Sequence, residues 1–278
     1  MCLDVDSDGI CDDVDECTIG SPYDWSGDGQ VDGCRGIENV IHPNAVIPGG
    51  TITGDYVSVE QGASLGVRNV LHDGTVVGPG VTIGDGNVLD ANVILSRQAE
   101  IGDNNHLGAE SVVTRNAQIG SNVRIGPFSS IGYAGVIGDH VEVLESLTLG
   151  ALASLGSGGG GGDGSSMCIG PLIVARGASV ASAPNYGFDC SGLVVIGPNS
   201  SIGYGASFGS DVRFRKEVVL GNRVVVGDDV RVGREAVIES DLTVLDSARI
   251  SSGVRLCDSS STGIGGIVGR EFVDPTCE

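Results

Sequence analysis

Ala99-Glu100-Ile101-Gly102-Asp103-Asn104, Asn105-His106-Leu107-Gly108-Ala109-Glu110, Ser111-Val112-Val113-Thr114-Arg115-Asn116 and Ala117-Gln118-Ile119-Gly120-Ser121-Asn122 are consecutive hexads with an aliphatic residue at the third place of each. The beat runs back through Leu95, Leu89, Ile83, Val77, Leu71 and Leu65 to Ile41, with Thr53 as its one departure. It runs forward through Ile125 and Ile131 to Leu155, is lost at a glycine run, and returns in a shifted frame from Ile196 to Leu256. A short fixed period marks stacked units. Six matches neither the helical period of 3.6 nor the strand period of 2. It is three times two, so a short strand followed by a corner accounts for it. Two residues before each aliphatic stands a smaller or β-branched residue, such as Ala99, Ser111, Ala117 and Val123. Strand alternation points both inward and the residue between them outward. A glycine after many of the aliphatics, such as Gly102 and Gly120, reads as the corner, where unusual dihedrals are needed. Asp, Asn and Pro fill other corner sites.

These units, with Val81-Thr82-Ile83-Gly84-Asp85-Gly86 and Ser200-Ser201-Ile202-Gly203-Tyr204-Gly205, resemble the hexapeptide-repeat, left-handed parallel β-helix family. The resemblance covers roughly residues 41–256 outside an insertion. It implies an all-β fold, a triangular solenoid with three hexads to a coil. At one rung per 18 residues it predicts about ten coils stacked about 4.8 Å apart. The left hand is implied by the family; it opposes the usual right-handed crossover rule.

The domain plan is an acidic module at 1–40, a solenoid at 41–256 with a Gly-rich insertion at 156–195, and a cap or tail at 257–278. Residues 1–40 carry a dense run of acids against the single base Arg35. Asp4, Asp6, Asp8, Asp12 and Asp15 stand at positions 1, 3, 5, 9 and 12 of a loop, with Gly9 at position 6 and the Ile10 carbonyl at position 7. Oxygen ligands at that spacing suit Ca2+. With Cys17 the loop resembles a thrombospondin type 3 repeat. A poorer copy offers Asp24, Ser26, Asp28, Gln30 and Asp32, but Arg35 takes its closing position. A solvated acidic tail without metal is the alternative.

The eight cysteines cluster at the margins of the beat: Cys2, Cys11, Cys17 and Cys34, then Cys168 and Cys190, then Cys257 and Cys277. The even count predicts disulfides, paired Cys17–Cys34, Cys168–Cys190, Cys257–Cys277 and Cys2–Cys11, and an extracellular or cell-surface location. A net charge of −21 argues against nonspecific nucleic-acid binding. No apolar run is long enough to span a bilayer.

Residues 18 apart stack on one outer face. One outward column reads Val76, Ile94, Val112 and another Val70, Val88; both predict cover by another surface, such as a neighbouring subunit. A third reads Arg213, Arg231, Arg249. Its stacked cations need an acidic neighbour, either the nearby Asp211, Asp228 and Asp229 or an acidic patch on another subunit.

The resemblance brings enzymes with it. Related γ-class carbonic anhydrases use three His at zinc, two of them five residues apart; His42, His72, His106 and His140 contain no such pair. Related acyltransferases use a His general base, for which His106 is the candidate, with Glu100 or Glu142 to orient it. Against that, the two strand-edged tips favour head-to-tail self-assembly. The expectation is therefore a secreted, calcium- and disulfide-stabilised subunit of a filament or surface layer, a homo-oligomer or homopolymer with a surface glycan as a further candidate partner. The alternative is a trimeric hexapeptide-repeat acyltransferase.

Overall fold

The structure is a computed structural model. It describes residues 39–156, 172–175, 178–180 and 190–257 in full, and the backbone of 21–23, 33–35, 166–168, 189 and 267–268. The chain is an all-β parallel solenoid of about 11 turns, and it fits the left-handed parallel β-helix. No helix occurs among the described residues. Two compact units are distinguished, 1–122 with 127–129, and 123–126 with 130–278.

In the first unit the strands are mostly two residues long and form three parallel stacks. One carries Val70–Leu71, Val88–Leu89 and His106–Leu107. The second carries Ser58–Val59, Val76–Val77, Ile94–Leu95 and Val112–Val113. The third carries Ser64–Leu65, Thr82–Ile83, Glu100–Ile101 and Gln118–Ile119. Leu65, Ile83, Ile101 and Ile119 are register partners on successive coils, so the hexad aliphatics pile directly over one another. They and their counterparts are buried. Each such side chain removed from water contributes about 1.5–3 kcal/mol. The first stack reaches back beyond residue 41: Gly33–Arg35 pairs in parallel with Thr51–Thr53, and Ser21–Tyr23 pairs antiparallel with Gly33–Arg35.

The corners differ from the sequence reading in one respect. The left-handed backbone falls not on the glycine after the aliphatic but two residues later. In the hexads quoted above it is Asn104, Glu110, Asn116 and Asn122, each with φ between 55° and 60°. Asn tolerates that region and glycine prefers it, yet Arg68, Gln98, Glu110 and Phe128 also adopt it. The glycine after the aliphatic answers a different need. A Cβ on Gly102 would sit 2.6 Å from the Gly120 carbonyl oxygen of the next coil. The coils approach too closely there for any side chain.

Polar ladders complete the corners. Asp103 Oδ1 accepts the Asp85 N–H at 2.8 Å, and Asp85 Oδ1 accepts the Val67 N–H at 2.8 Å. Part of the chain's acidity therefore serves its own backbone. Inside the first unit, buried Asn69, Asn87 and Asn105 take the inner place two residues before Leu71, Leu89 and Leu107. Asn69 Oδ1 accepts the Asn87 N–H at 2.8 Å, and Asn87 Oδ1 accepts the Asn105 N–H at 2.9 Å. Buried amides are tolerable because each is hydrogen-bonded. This ladder enters the strand that bears His106.

The second unit is likewise built of three parallel stacks. The lost beat now has a cause. Thr148 pairs with Ile173, 25 residues on, and Ile173 pairs with Val195, 22 residues on. Against 18 per coil those are 7 and 4 extra residues, together 11, one short of two hexads. Parallel pairing continues through the insertion despite the extra length. Cys168 and Cys190 are register partners between Val143 and Phe208. Cys190 thus belongs to the core stack rather than to its margin. Cys190 and Cys257 are buried and disulfide-bonded. The other partner in each assigned pairing, among Cys2, Cys11, Cys17, Cys34, Cys168 and Cys277, has its side chain outside the described residues. The calcium ligands Asp4, Asp6, Asp8, Ile10, Asp12, Asp15, Asp24, Ser26, Asp28, Gln30 and Asp32 also lie outside the described residues.

The arginine column is neutralised locally at two of its members. Asp229 meets Arg231 at 3.1 Å and Arg249 at 2.9 Å. Arg223 grips Asp241 with two bonds of 2.7 Å. Hydrogen bonding to Arg249 holds the Asp229 carboxyl below its ordinary 3.8, helped by the charges of Arg249 and Arg231 and opposed by desolvation. Hydrogen bonding to Arg223 does the same for Asp241. A carboxyl with a lowered folded-state pKa stabilises the fold above its unfolded value and loses that contribution as pH falls below it. Urea midpoints measured between about pH 5 and about pH 2 should therefore fall more steeply for the native chain than for Asp229→Asn with Asp241→Asn. Equal slopes would mean that the pairs do not couple to stability.

Candidate active site

His106 lies between Asn105, locked inward by the amide ladder, and the core residue Leu107. Strand alternation therefore turns its imidazole outward. Its partner is neither carboxylate proposed from the sequence. Glu100 is on another stack, where its Oε2 accepts from Gln118 at 3.2 Å. Glu142 faces Arg124 at 3.9 Å in the second unit. Instead His106 Nε2 stands 3.0 Å from Asp90 Oδ2. Both side chains are about one-third exposed, at 39% and 34%. A carboxylate only accepts, so Nε2 carries the proton and Nδ1 is left as the basic nitrogen.

Asp90 reaches the ring diagonally. Val88 is the register partner of His106, and Asp90 is two residues past Val88. His72 stands 18 residues before Asp90, at the matching place one coil away, and is exposed. On the following coil that place is Gly108, which carries no side chain. Val88, Val70 and Ile52 continue the His106 column outward on successive coils, making an apolar strip beside the dyad. On the neighbouring stack Val76, Ile94 and Val112 form the second predicted column, with Ile94 40% exposed. Asp90 was legible only as a residue two places beyond the one 18 before His106.

This arrangement can orient an imidazole, hold its tautomer and accept a proton at Nδ1. A family model described as "Bacterial transferase hexapeptide (six repeats)" matches residues 98–133, a span that contains His106. The chain is a hexapeptide-repeat β-solenoid. Among solved structures, the UDP-N-acetylglucosamine acyltransferase of Arabidopsis is 18% identical with a TM-score of 0.41, covering 78% of this chain and 65% of that one. The enzyme of the same name from Francisella novicida is 16% identical with a TM-score of 0.27, covering 76% of this chain and 60% of that one. The chain thus spans less than two thirds of the length of either. No curated protein matches.

These findings overturn the expectation of a filament or surface-layer subunit. The repeat that suggested a building block is matched over residues 98–133 by a model of bacterial transferases. Strand-edged tips are common to any such solenoid, so they do not separate a fibre from an enzyme. The extracellular or cell-surface location expected from the cysteine count is overturned by the same match. No helix among the described residues is long and apolar enough to cross a membrane.

Proposed function

We propose that the protein is an acyltransferase that acts as a homotrimer, with His106 as general base and Asp90 as its positioning residue. The observation that carries this reading is the 3.0 Å His106–Asp90 pair, with His106 inside the transferase-matched span. In the proposed step Nδ1 takes the proton from an acceptor hydroxyl or amine as that atom attacks the carbonyl carbon of an acyl thioester. The tetrahedral adduct collapses, the carbon–sulfur bond breaks, and the thiolate leaves with the proton returned from the imidazolium. The Asp90 carboxylate stabilises the imidazolium in between and keeps the ring in one tautomer. The apolar columns support subunit contact, which would exclude water from the dyad. Calcium binding at Asp4 to Asp15 is part of this proposal as a stabilising module with no chemical role; its support is the ligand spacing alone.

The test is thiol release from a panel of acyl thioesters, with and without hydroxyl and amine acceptors. Acceptor-dependent release that disappears in His106→Asn is the expected result, and acceptor-independent hydrolysis or no turnover across the panel would refute it. Ile94→Asp should also lower the oligomeric state in sedimentation, because a buried carboxylate without a partner is costly at an apolar contact. An unchanged sedimentation coefficient would place the subunit contact elsewhere.

A further inference from the structure

Cations in the second unit are mostly neutralised by nearby acids. Arg124, Lys216, Arg223, Arg231, Arg249 and Arg255 each meet a carboxylate. Arg213, Arg215 and Arg234 meet none among the described residues. Two of these three, Arg215 and Arg234, line one open concavity of about 610 Å³ together with Glu235, Ser252 and Gly253. That volume falls within the range of about 300–1,000 Å³ typical of small-molecule sites.

The stacking of three successive corners builds this concavity. Gly253 occupies the left-handed corner place held by Glu217 and Glu235 on the two preceding coils. Among the described residues a Cβ on Gly253 would meet nothing within 4 Å, so none of them excludes a side chain there. Where the column would next place a carboxylate, Gly253 offers no charge. Ser252 Oγ accepts the Arg234 backbone N–H at 3.0 Å, which leaves the hydroxyl hydrogen free to donate outward. Among the described residues the concavity therefore presents two arginines and a hydroxyl donor, with one carboxylate, Glu235. Guanidinium forks match phosphoryl oxygens bidentately. The lone carboxylate accepts hydrogen bonds from hydroxyl groups.

We propose that this concavity binds a small phosphate monoester bearing hydroxyl groups, of the sugar-phosphate class, with Arg215, Arg234 and Ser252 on the phosphoryl oxygens and Glu235 on a hydroxyl. The site is separate from His106 and stands or falls independently of the acyltransferase reading.

Isothermal titration calorimetry on the full chain tests it, with ribose 5-phosphate, inorganic phosphate and ribose as probes. Saturable binding of ribose 5-phosphate at a Kd of about 1 mM or tighter is expected, with inorganic phosphate weaker and ribose silent. Arg215→Gln or Arg234→Gln should each weaken it about tenfold or more, the usual cost of a lost charge-assisted bond. Arg213→Gln, which removes an unpaired cation outside the concavity, should leave it unchanged, and so should His106→Ala. Glu235→Gln should narrow the gap between ribose 5-phosphate and inorganic phosphate. All of these residues are on the surface, and unchanged urea midpoints would show that the variants are folded. Absence of saturable binding would overturn the proposal, as would indifference to both arginine changes. Equal weakening by Arg213→Gln would also overturn it, by reducing the effect to bulk charge.

Discussion

His106→Ala is expected to reduce acyl transfer by about 10²–10⁴-fold while leaving the fold intact, the usual contribution of a positioned general base. The imidazole is outward and partly exposed, so its loss opens no cavity in the core. The effect should fall on kcat rather than KM, because proton removal matters in the transition state and not in substrate binding. Asp90→Asn should cost less, since the ring remains but its tautomer is no longer held by a carboxylate. Adding Asp90→Asn to His106→Ala should cost almost nothing more, because Asp90 acts through the ring. Full additivity of the two changes would mean that Asp90 has a separate role. Unchanged kcat in His106→Ala would remove the chemistry from this site.

The largest structural effect is expected from a single methyl group. Gly132→Ala would place its Cβ 2.5 Å from the Ala151 nitrogen and 2.6 Å from the Gly150 carbonyl carbon, both backbone atoms of the next coil. Neither neighbour can rotate away, so coils must part and neighbouring ladder bonds lengthen. A loss of about 3 kcal/mol is expected, at the upper end of overpacking costs. Gly80→Asn is the contrast. Gly80 has φ 64° and its nearest would-be neighbour is the flexible Gln98 side chain at 3.7 Å. Asn adopts that backbone readily, so the change should stay within about 1 kcal/mol. Urea midpoints of the two variants compare the two kinds of glycine directly. Similar losses in both would mean that backbone freedom, not close approach, sets the glycine pattern.

That distinction marks where the sequence was legible and where it was not. The inward place of Leu65, Ile83 and Ile101 follows from the beat of six, and their piling over one another from the three-hexad coil that the family resemblance implies. The left-handed corner place was not legible. Asn104, Gln98, Glu110 and Phe128 share no chemistry that would announce a common backbone, and the solenoid imposes it on them. The glycines were conspicuous, but their pattern reports crowding between coils, which no single hexad reveals. Asn69, Asn87 and Asn105 were passed over because an inner place was expected to be small or β-branched; their amides suit it by bonding to the next coil. At the site, His106 could be picked out as an outward residue, whereas Asp90 required the coil length and a diagonal reach. Glu100 and Glu142 had the right chemistry on the wrong stack and the wrong coil. Function was the least legible part, since stacked hexads serve scaffolds and transferases alike and the tips look the same in both.

The account depends most on Asp90 holding the His106 ring with its Nε2 proton tied down and Nδ1 free. Long-range 1H–15N NMR of the imidazoles reads this directly. The account predicts that His106 is the Nε2–H tautomer in the native chain and that Asp90→Asn shifts its resonances while those of His42 and His140 stay in place. A His106 ring protonated on Nδ1 when neutral, or one indifferent to Asp90→Asn, would contradict it.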